Sequence, residues 1–395
     1  MTTPSATPAS KLKRLAAWID ERTPMTATWK ANTRLATYYA PKNINFWSFF
    51  GTLAILVLIN QLITGIFLTM HYKPDASLND SGVPLAFASI EYIMRDVPWG
   101  WLIRYLHSSG ASALLILVYL HMYRSVLYSS YLKPRELTWL FGMLLFLALV
   151  AQTFVGYLMP WGQLSFWAAQ VIVNAFSQIP GVGPEFTLWL RGDYVVSDAT
   201  LNRFFSFHVI GFPALLCWIL VQHIPYTIKD LRYFLAFFLI CAAIVFLAPE
   251  AGGYFLEYNN FTQANPLQTP QHIAPLWYFT SYYSILRAIT YPLFGIDAKF
   301  WGVLGMLLAM VIFAALPWLD KSQGQMIRKK GPIFKLALGL FVIAFAGLSY
   351  LGTVPTTPQR LVLAQICTAL YFGFFLLMPI YSRLDRPKAG TGEVA

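Results

Sequence analysis

Charge is what this chain has least of. Asp, Glu, Lys and Arg make up only 11% of its 395 residues, where a soluble domain carries roughly 25%, while 57% of the chain is hydrophobic. A set of soluble domains is excluded. Cysteine is equally sparse: Cys217, Cys241 and Cys367 each lie inside an apolar stretch without ligand-like spacing, so a disulfide framework and a cysteinyl metal centre are excluded too. The N-terminus, MTTPSATPASKLKRLAAW, lacks an apolar core segment, and no cleaved signal peptide is expected. Acidic residues are outnumbered 17 to 28, for a net charge of +11. The basic residues fall between apolar stretches and not along one face, so no nucleic-acid partner is expected. What remains is an all-α, polytopic membrane protein whose solvent is the lipid bilayer.

A helix needs ~20 apolar residues to cross a bilayer core of ~30 Å. Eight stretches qualify, at about 46–70, 102–128, 138–158, 203–224, 233–249, 300–318, 333–351 and 361–381. The long connections after the third and fifth spans hold Pro, Gly and Trp with little charge, and are expected to be structured covers over a site. With the N-terminus inside, the inner segments hold 20 Lys and Arg against 7 Asp and Glu, and the outer ones 8 against 10. By the positive-inside rule both termini are expected to be cytoplasmic. Residues 1–43 are read as a cytoplasmic segment holding either an amphipathic interfacial helix or a tail. Residues 44–230 are read as spans one to four, 231–383 as spans five to eight, and 384–395 as a tail.

Histidine is rare as well, at six residues, yet four lie inside two spans: His107 and His121, then His208 and His223. Fourteen residues of α-helix turn through 1400°, within about 40° of four whole turns, and rise ~21 Å. His107 and His121 therefore share a face near opposite sides of the bilayer. The second pair, 15 apart, overshoots by about 60°, and Pro213 between them is expected to bend the helix and absorb part of the mismatch. The two helices run in the same direction, so His107 faces His208 and His121 faces His223. Two bis-imidazole sites stacked across a membrane suit six-coordinate haem iron; zinc would lack its third and fourth ligands. Gly51 and Gly65, then Gly142 and Gly156, repeat the 14-residue interval in the first and third spans. They suit close approach of a porphyrin edge, or else ordinary helix packing at small residues. Arg104 and Arg124, each three residues from a histidine and nearer the surface, would suit anionic haem propionates or would snorkel.

Several longer stretches carry a resemblance. WGWLIRYLHSSGAS, LVYLHMYRSVLYSSY, PRELTWLFG, GYLMPWGQLSFWAAQVI, ATLNRFFSFH and QHIAPLWYFTSYYSILRAI together resemble cytochrome b, the haem-bearing subunit of quinol–cytochrome c reductase, from about Tyr38 to Arg383. The fused chain, 15-residue second spacing and basic extension resemble the proteobacterial respiratory form. The resemblance implies a dihaem four-helix bundle in the first four spans, with two non-covalent b haems and ubiquinol as substrate. It implies quinol oxidation at an outer site, electron transfer through the haems to quinone at an inner site, and coupled proton translocation. His107 and His208 would hold the outer haem, His121 and His223 the inner one. The implied partners are a Rieske-type iron–sulfur protein, a cytochrome c1-type subunit and a second copy of the complex. The implied location is the bacterial inner membrane.

Three departures stand out. The family's Pro-Glu-Trp-Tyr reads Pro275-Leu276-Trp277-Tyr278, and Leu276 can neither bind quinol nor take its proton, which leaves Tyr278, a propionate or ordered water. The usual glycine of the outer-site helix is Ala168, whose methyl is expected to narrow a pocket wall and weaken methoxyacrylate-type inhibitors. The loop after His223 is short, although Lys229 and Asp230 match the family's inner-site proton relays. Leu276 also motivates an alternative reading, a dihaem electron carrier with a degenerate outer site. A secondary transporter with intramembrane histidines is a third.

Overall fold

A computed structural model describes residues 46–223, 258–322 and 326–385, with isolated helical positions at 17–19, 21, 240 and 243. Most of the expected fifth span at 233–249, with Lys229, Asp230, Cys241, most of 1–43 and most of the tail, lies outside the described residues. Within them the fold is helical, and the only β-type pairings are isolated bridges. Among the described residues, seven helices are long and apolar enough to cross a membrane.

The first four form the part that carries the histidines. Helix α1 is Phe50–Thr69; a short amphipathic α2, Leu85–Arg95, leads to α3, Gly100–Leu127. Helix α4 is Glu136–Leu158, and the fourth span is α7, Asp198–His223. It begins five residues before the expected start at 203, because Ser197 and Thr200 close a capping box with Asp198 in the first turn, where an acid meets the positive end of the helix dipole. Helix α1 packs on α3, and α4 on α7. Phe50, Leu53 and Val57 of α1 share one apolar core with Leu114, Leu115 and Leu117 of α3, Leu145 and Leu149 of α4, and Leu216 and Ile219 of α7. This layer sits between the two histidine levels on α3 and separates them with hydrocarbon.

The long connection after α4 is structured, as expected. It forms α5, Gln163–Phe176, and α6, Gly183–Arg191. The connection leading to residue 298 contributes a 3₁₀ turn at Trp277–Phe279 and α8, Thr280–Ala288. The two connections are stitched together. The Gln163 N–H donates to the Thr262 carbonyl and the Ala264 N–H to the Trp161 carbonyl, both at 2.9 Å. Asn260 accepts from the Ser165 N–H at 2.8 Å and donates to the Tyr157 hydroxyl at 2.8 Å. Backbone polar groups outside a helix are satisfied here by protein and not by lipid, as membrane depth requires.

The C-terminal helices are α9, Ala298–Leu319, α10, Pro332–Thr353, α11, Pro358–Leu376, and a short α12, Met378–Leu384. The last expected span thus divides at Leu377, ahead of Pro379, which cannot donate into a continuous helix. Helix α8 packs against α9, α10 and α11. An aromatic core of Phe313, Phe341, Tyr371 and Phe375 continues into Met122, Trp139 and Phe146 of α3 and α4. The Trp139 indole N–H donates to the Phe313 carbonyl at 2.8 Å.

Candidate bis-histidine centres and the cavity beside them

The pairing expected from helix direction is present. The rings of His107 and His208 are 6.1 Å apart between centroids and inclined at 80°. Those of His121 and His223 are 6.2 Å apart and inclined at 83°. Two metal–imidazole bonds of ~2.0 Å, with ~1.1 Å from nitrogen to ring centre on each side, require about 6.2 Å. Both pairs therefore match the span of one bis-imidazole iron centre.

Outer polar groups hold the rings by one nitrogen. His208 Nδ1 lies 3.0 Å from the Gln152 carbonyl and His223 Nδ1 lies 3.0 Å from the Thr138 carbonyl. A carbonyl only accepts, so each Nδ1 is the protonated nitrogen and Nε2 keeps its lone pair. His107 Nδ1 lies 3.0 Å from the Thr64 hydroxyl. That hydroxyl already donates to the Asn60 carbonyl at 2.7 Å, so it accepts from the ring. Such contacts fix tautomer and ring orientation in metal sites. Thr64, Thr138 and Gln152 were not legible as site residues. Their one signal was a polar side chain in an otherwise apolar helix, one or four residues before a glycine of the repeat.

The four glycines do something more specific than meet a porphyrin edge. A Cβ on Gly51 would approach His121 Cε1 at 2.9 Å, one on Gly65 would approach His107 Cε1 at 3.3 Å, and one on Gly142 would approach His223 Cε1 at 2.9 Å. At Gly156 it would overlap the His208 ring. Each glycine is thus the seat of one imidazole from the neighbouring helix, and the matched 14-residue repeats follow from that pairing.

The 15-residue interval is reconciled by a device different from the expected bend. Residues Phe207–Gly211 form a π turn in which the Phe212 N–H donates to the Phe207 carbonyl. Such a turn accommodates one extra residue in an α-helix. His208 to His223 is thereby equivalent to 14 α-helical residues and in register with His107 to His121. Pro213, lacking an N–H, stands two residues beyond this turn.

The His107–His208 pair opens into a cavity of about 530 Å³, within the size range of small-molecule sites. Gly65, His107, Gly156 and His208 line it together with Arg104 and with Leu276 and Tyr278 of the later connection. The Pro275-Leu276-Trp277-Tyr278 segment is anchored on α3: the Tyr119 hydroxyl donates to the Tyr278 carbonyl at 2.7 Å, and the Trp277 indole to the Ser112 hydroxyl at 3.3 Å. Leu276 is buried and belongs to the apolar core between the histidine levels. Ala168 is buried in α5, but no α5 residue lines this cavity. The expected narrowing of a pocket wall is therefore not a feature of this cavity, because α5 packs on the loop core instead. Arg124, near the other pair, stacks over the Tyr128 ring at 4.7 Å and donates to the Ser130 hydroxyl at 3.3 Å.

The donor set, an imidazole on each side with His107, His208 and His223 held at Nδ1 by neighbouring oxygens and a glycine seating each ring, fits haem. The fold and site thus define a multi-pass helical membrane protein of the b-type cytochrome class. Comparison with known proteins places it further. The family described as Cytochrome b/b6/petB matches residues 35–230, and Cytochrome b(C-terminal)/b6/petD matches 263–372. Cytochrome b of Allochromatium vinosum is 49% identical, covering 96% of this chain and 98% of that protein. Cytochrome b of Rhodospirillum rubrum is 39% identical, covering 94% and 93%. A solved structure described as hyperthermophilic respiratory Complex III superposes with a TM-score of 0.77 at 33% identity, covering 93% of this chain and 99% of that one. The chain belongs to the cytochrome b family.

Proposed function

We propose that this chain is the dihaem subunit of a quinol–cytochrome c reductase in a bacterial inner membrane. In this reading it oxidises ubiquinol at the outer cavity and reduces quinone at an inner site, coupled to proton translocation. The observation that carries the reading is the pair of imidazole couples, 6.1 and 6.2 Å between centroids, on helices with matched registers. His107 and His208 would hold the outer b haem, and His121 and His223 the inner one. Gly51, Gly65, Gly142 and Gly156 seat the rings, and Arg104 and Arg124 supply cations for propionates. Bound there, haem iron supplies one-electron redox chemistry at a potential tuned by its axial ligands.

The chain's own residues define the substrate site. The outer cavity, with an apolar wall at Leu276 and a phenol at Tyr278, would bind a quinol ring beside His107 and His208, and Pro275 and Trp277 would hold that wall in place. Lys229 and Asp230 would relay protons at the inner site. A Rieske-type iron–sulfur protein, a cytochrome c1-type subunit and a second copy of the complex would complete the machine, with both termini cytoplasmic. A Bradyrhizobium diazoefficiens relative named Cytochrome b/c1, 36% identical over 96% of this chain, extends well beyond it, with 56% of that protein covered. That fusion supports a c1-type partner.

Purification with native partners tests the whole. The dithionite-reduced complex should show two b-type α-bands and turn over quinol with cytochrome c in an inhibitor-sensitive way. Two bands without turnover would favour the alternative, an electron carrier with a degenerate outer site, which Leu276 motivates. Restoring the family carboxylate separates these further. Glu introduced by Leu276→Glu is buried, so its pKa rises above ~4.3, and only its ionised form takes a proton. Quinol oxidation by this variant should therefore gain an acid limb, falling as pH drops through that raised pKa. A profile superimposable on the parent's would remove Leu276 from the quinol site.

A further inference from the structure

The π turn that corrects the register of α7 leaves a deficit at one atom. In α-helical register the His208 carbonyl would accept from the Phe212 N–H, but that N–H is committed to the Phe207 carbonyl. In π register its partner would be residue 213, which is proline and has no N–H. Either way the His208 carbonyl is orphaned within its own helix, and a buried carbonyl left unmet is destabilising. Gln152 of α4 fills the gap. Its side-chain Nε2 donates to the His208 carbonyl at 2.9 Å, while its own main-chain carbonyl receives His208 Nδ1 at 3.0 Å.

One residue therefore grips the histidine at both ends, at the backbone and at the ring. The amide orientation is dictated, because the reverse rotamer would set its oxygen against the His208 carbonyl, acceptor against acceptor. Gln152 Oε1 is left buried without a hydrogen-bond partner among the described residues, a cost that packing alone would not retain in an apolar helix. At the other level the Thr138 carbonyl holds His223 Nδ1 at 3.0 Å.

We propose that Gln152 is the positioning residue of the outer centre, fixing the plane of the His208 imidazole across a helix whose own hydrogen bonding is broken there. The proposal rests on the reading that His107 and His208 hold a haem. The angle between two axial imidazole planes, 80° in this pair, governs the g-anisotropy of a low-spin ferric haem, and axial-ligand hydrogen bonding shifts its potential.

The test uses the purified complex with Gln152→Leu, Pro213→Ala and the double variant, read by low-temperature EPR and redox titration of both b haems. Gln152→Leu should shift the outer haem's low-spin signal and midpoint and leave the inner haem's unchanged. Pro213→Ala restores an N–H at the π-register partner of the His208 carbonyl. The double variant should therefore return both readouts toward the parent's. If Gln152→Leu loses the outer haem altogether, its recovery in the double variant supports the proposal and continued loss overturns it. Unchanged outer signals in Gln152→Leu, or equal shifts of both haems, would overturn it as well. A parent complex without an outer b haem would instead defeat the reading beneath it.

Discussion

Replacing His208 with Asn, or Gly156 with Val, is expected to remove one of the two b-type bands and leave the other. The two substitutions act on one site from opposite sides. His208→Asn deletes the imidazole nitrogen that would bind the iron in the proposed reading, and among the described residues no group of three or more His, Cys, Asp or Glu is placed to hold a metal in its stead. Gly156→Val leaves the ligand in place and takes away its seat. Even a single Cβ there overlaps the ring, and both backbones are helical, so neither can retreat without breaking core contacts. His121 and His223 lie ~21 Å away along the helices, beyond an intact leucine layer, and their band should persist. Reduced-minus-oxidised spectra of isolated membranes are the measurement. Two bands of parental amplitude in His208→Asn would remove that residue from the ligand set. In Gly156→Val they would show that the helices can separate there.

The second large effect lies beyond the far end of α3 from the cavity, in a network formed by residues distant in sequence. Lys330 Nζ lies 2.6 Å from Asp320 Oδ2 with both side chains buried, and the ammonium sits 3.5 Å over the Phe334 ring. The Tyr131 hydroxyl donates to the same carboxylate oxygen at 2.5 Å. The three residues join the turn after α3, the end of α9 and the entry to α10. Removing one partner of a buried pair costs about 3–5 kcal/mol, because the other charge is stranded. Lys330→Met or Asp320→Asn should therefore lower the thermal midpoint of the solubilised complex. The double variant should regain part of the loss, which is the outcome that distinguishes a stranded charge from simple misfolding. Equal midpoints for parent and single variants would deny the pair any role in stability.

The same network sets a pH dependence. Burial by itself would raise the Asp320 carboxyl, but the Lys330 ammonium and hydrogen bonds from Lys330, Ser322 and Tyr131 outweigh it and hold the group below the usual carboxylate range. A depressed folded pKa contributes stability that is present above the ordinary value of ~3.9 and lost as pH falls through the folded one. Burial lowers Lys330, and Asp320 opposes that shift. The ion pair therefore belongs to the window between the two, and the thermal midpoint of the solubilised complex should fall as pH drops through the depressed Asp320 value.

Much of the fold was open to reading because a membrane leaves little choice. Apolar runs of about 20 residues have to be helices when no water can satisfy their backbones, and seven of the eight expected spans fall on described helices. The histidine pairs were legible for the same reason. On a rigid helix spacing is geometry, and four histidines among six are hard to place otherwise. The lengths of the helices were less legible at their ends. Asp198–Ser206 of α7 is polar enough to read as loop, yet a capping box makes it helix.

The sequence by itself determined the solvent, the helical class, the two histidine levels and their ~21 Å separation, because these depend on composition and local period alone. Tertiary structure decided the rest, since each remaining feature needs two distant segments at once. Gly156 becomes the seat of His208 only when α4 meets α7. Leu276 becomes a cavity wall only when the later connection folds onto α3. The 15-residue interval becomes 14 only through a π turn, and that turn is tolerable because Gln152, 56 positions away, supplies the hydrogen bond it breaks.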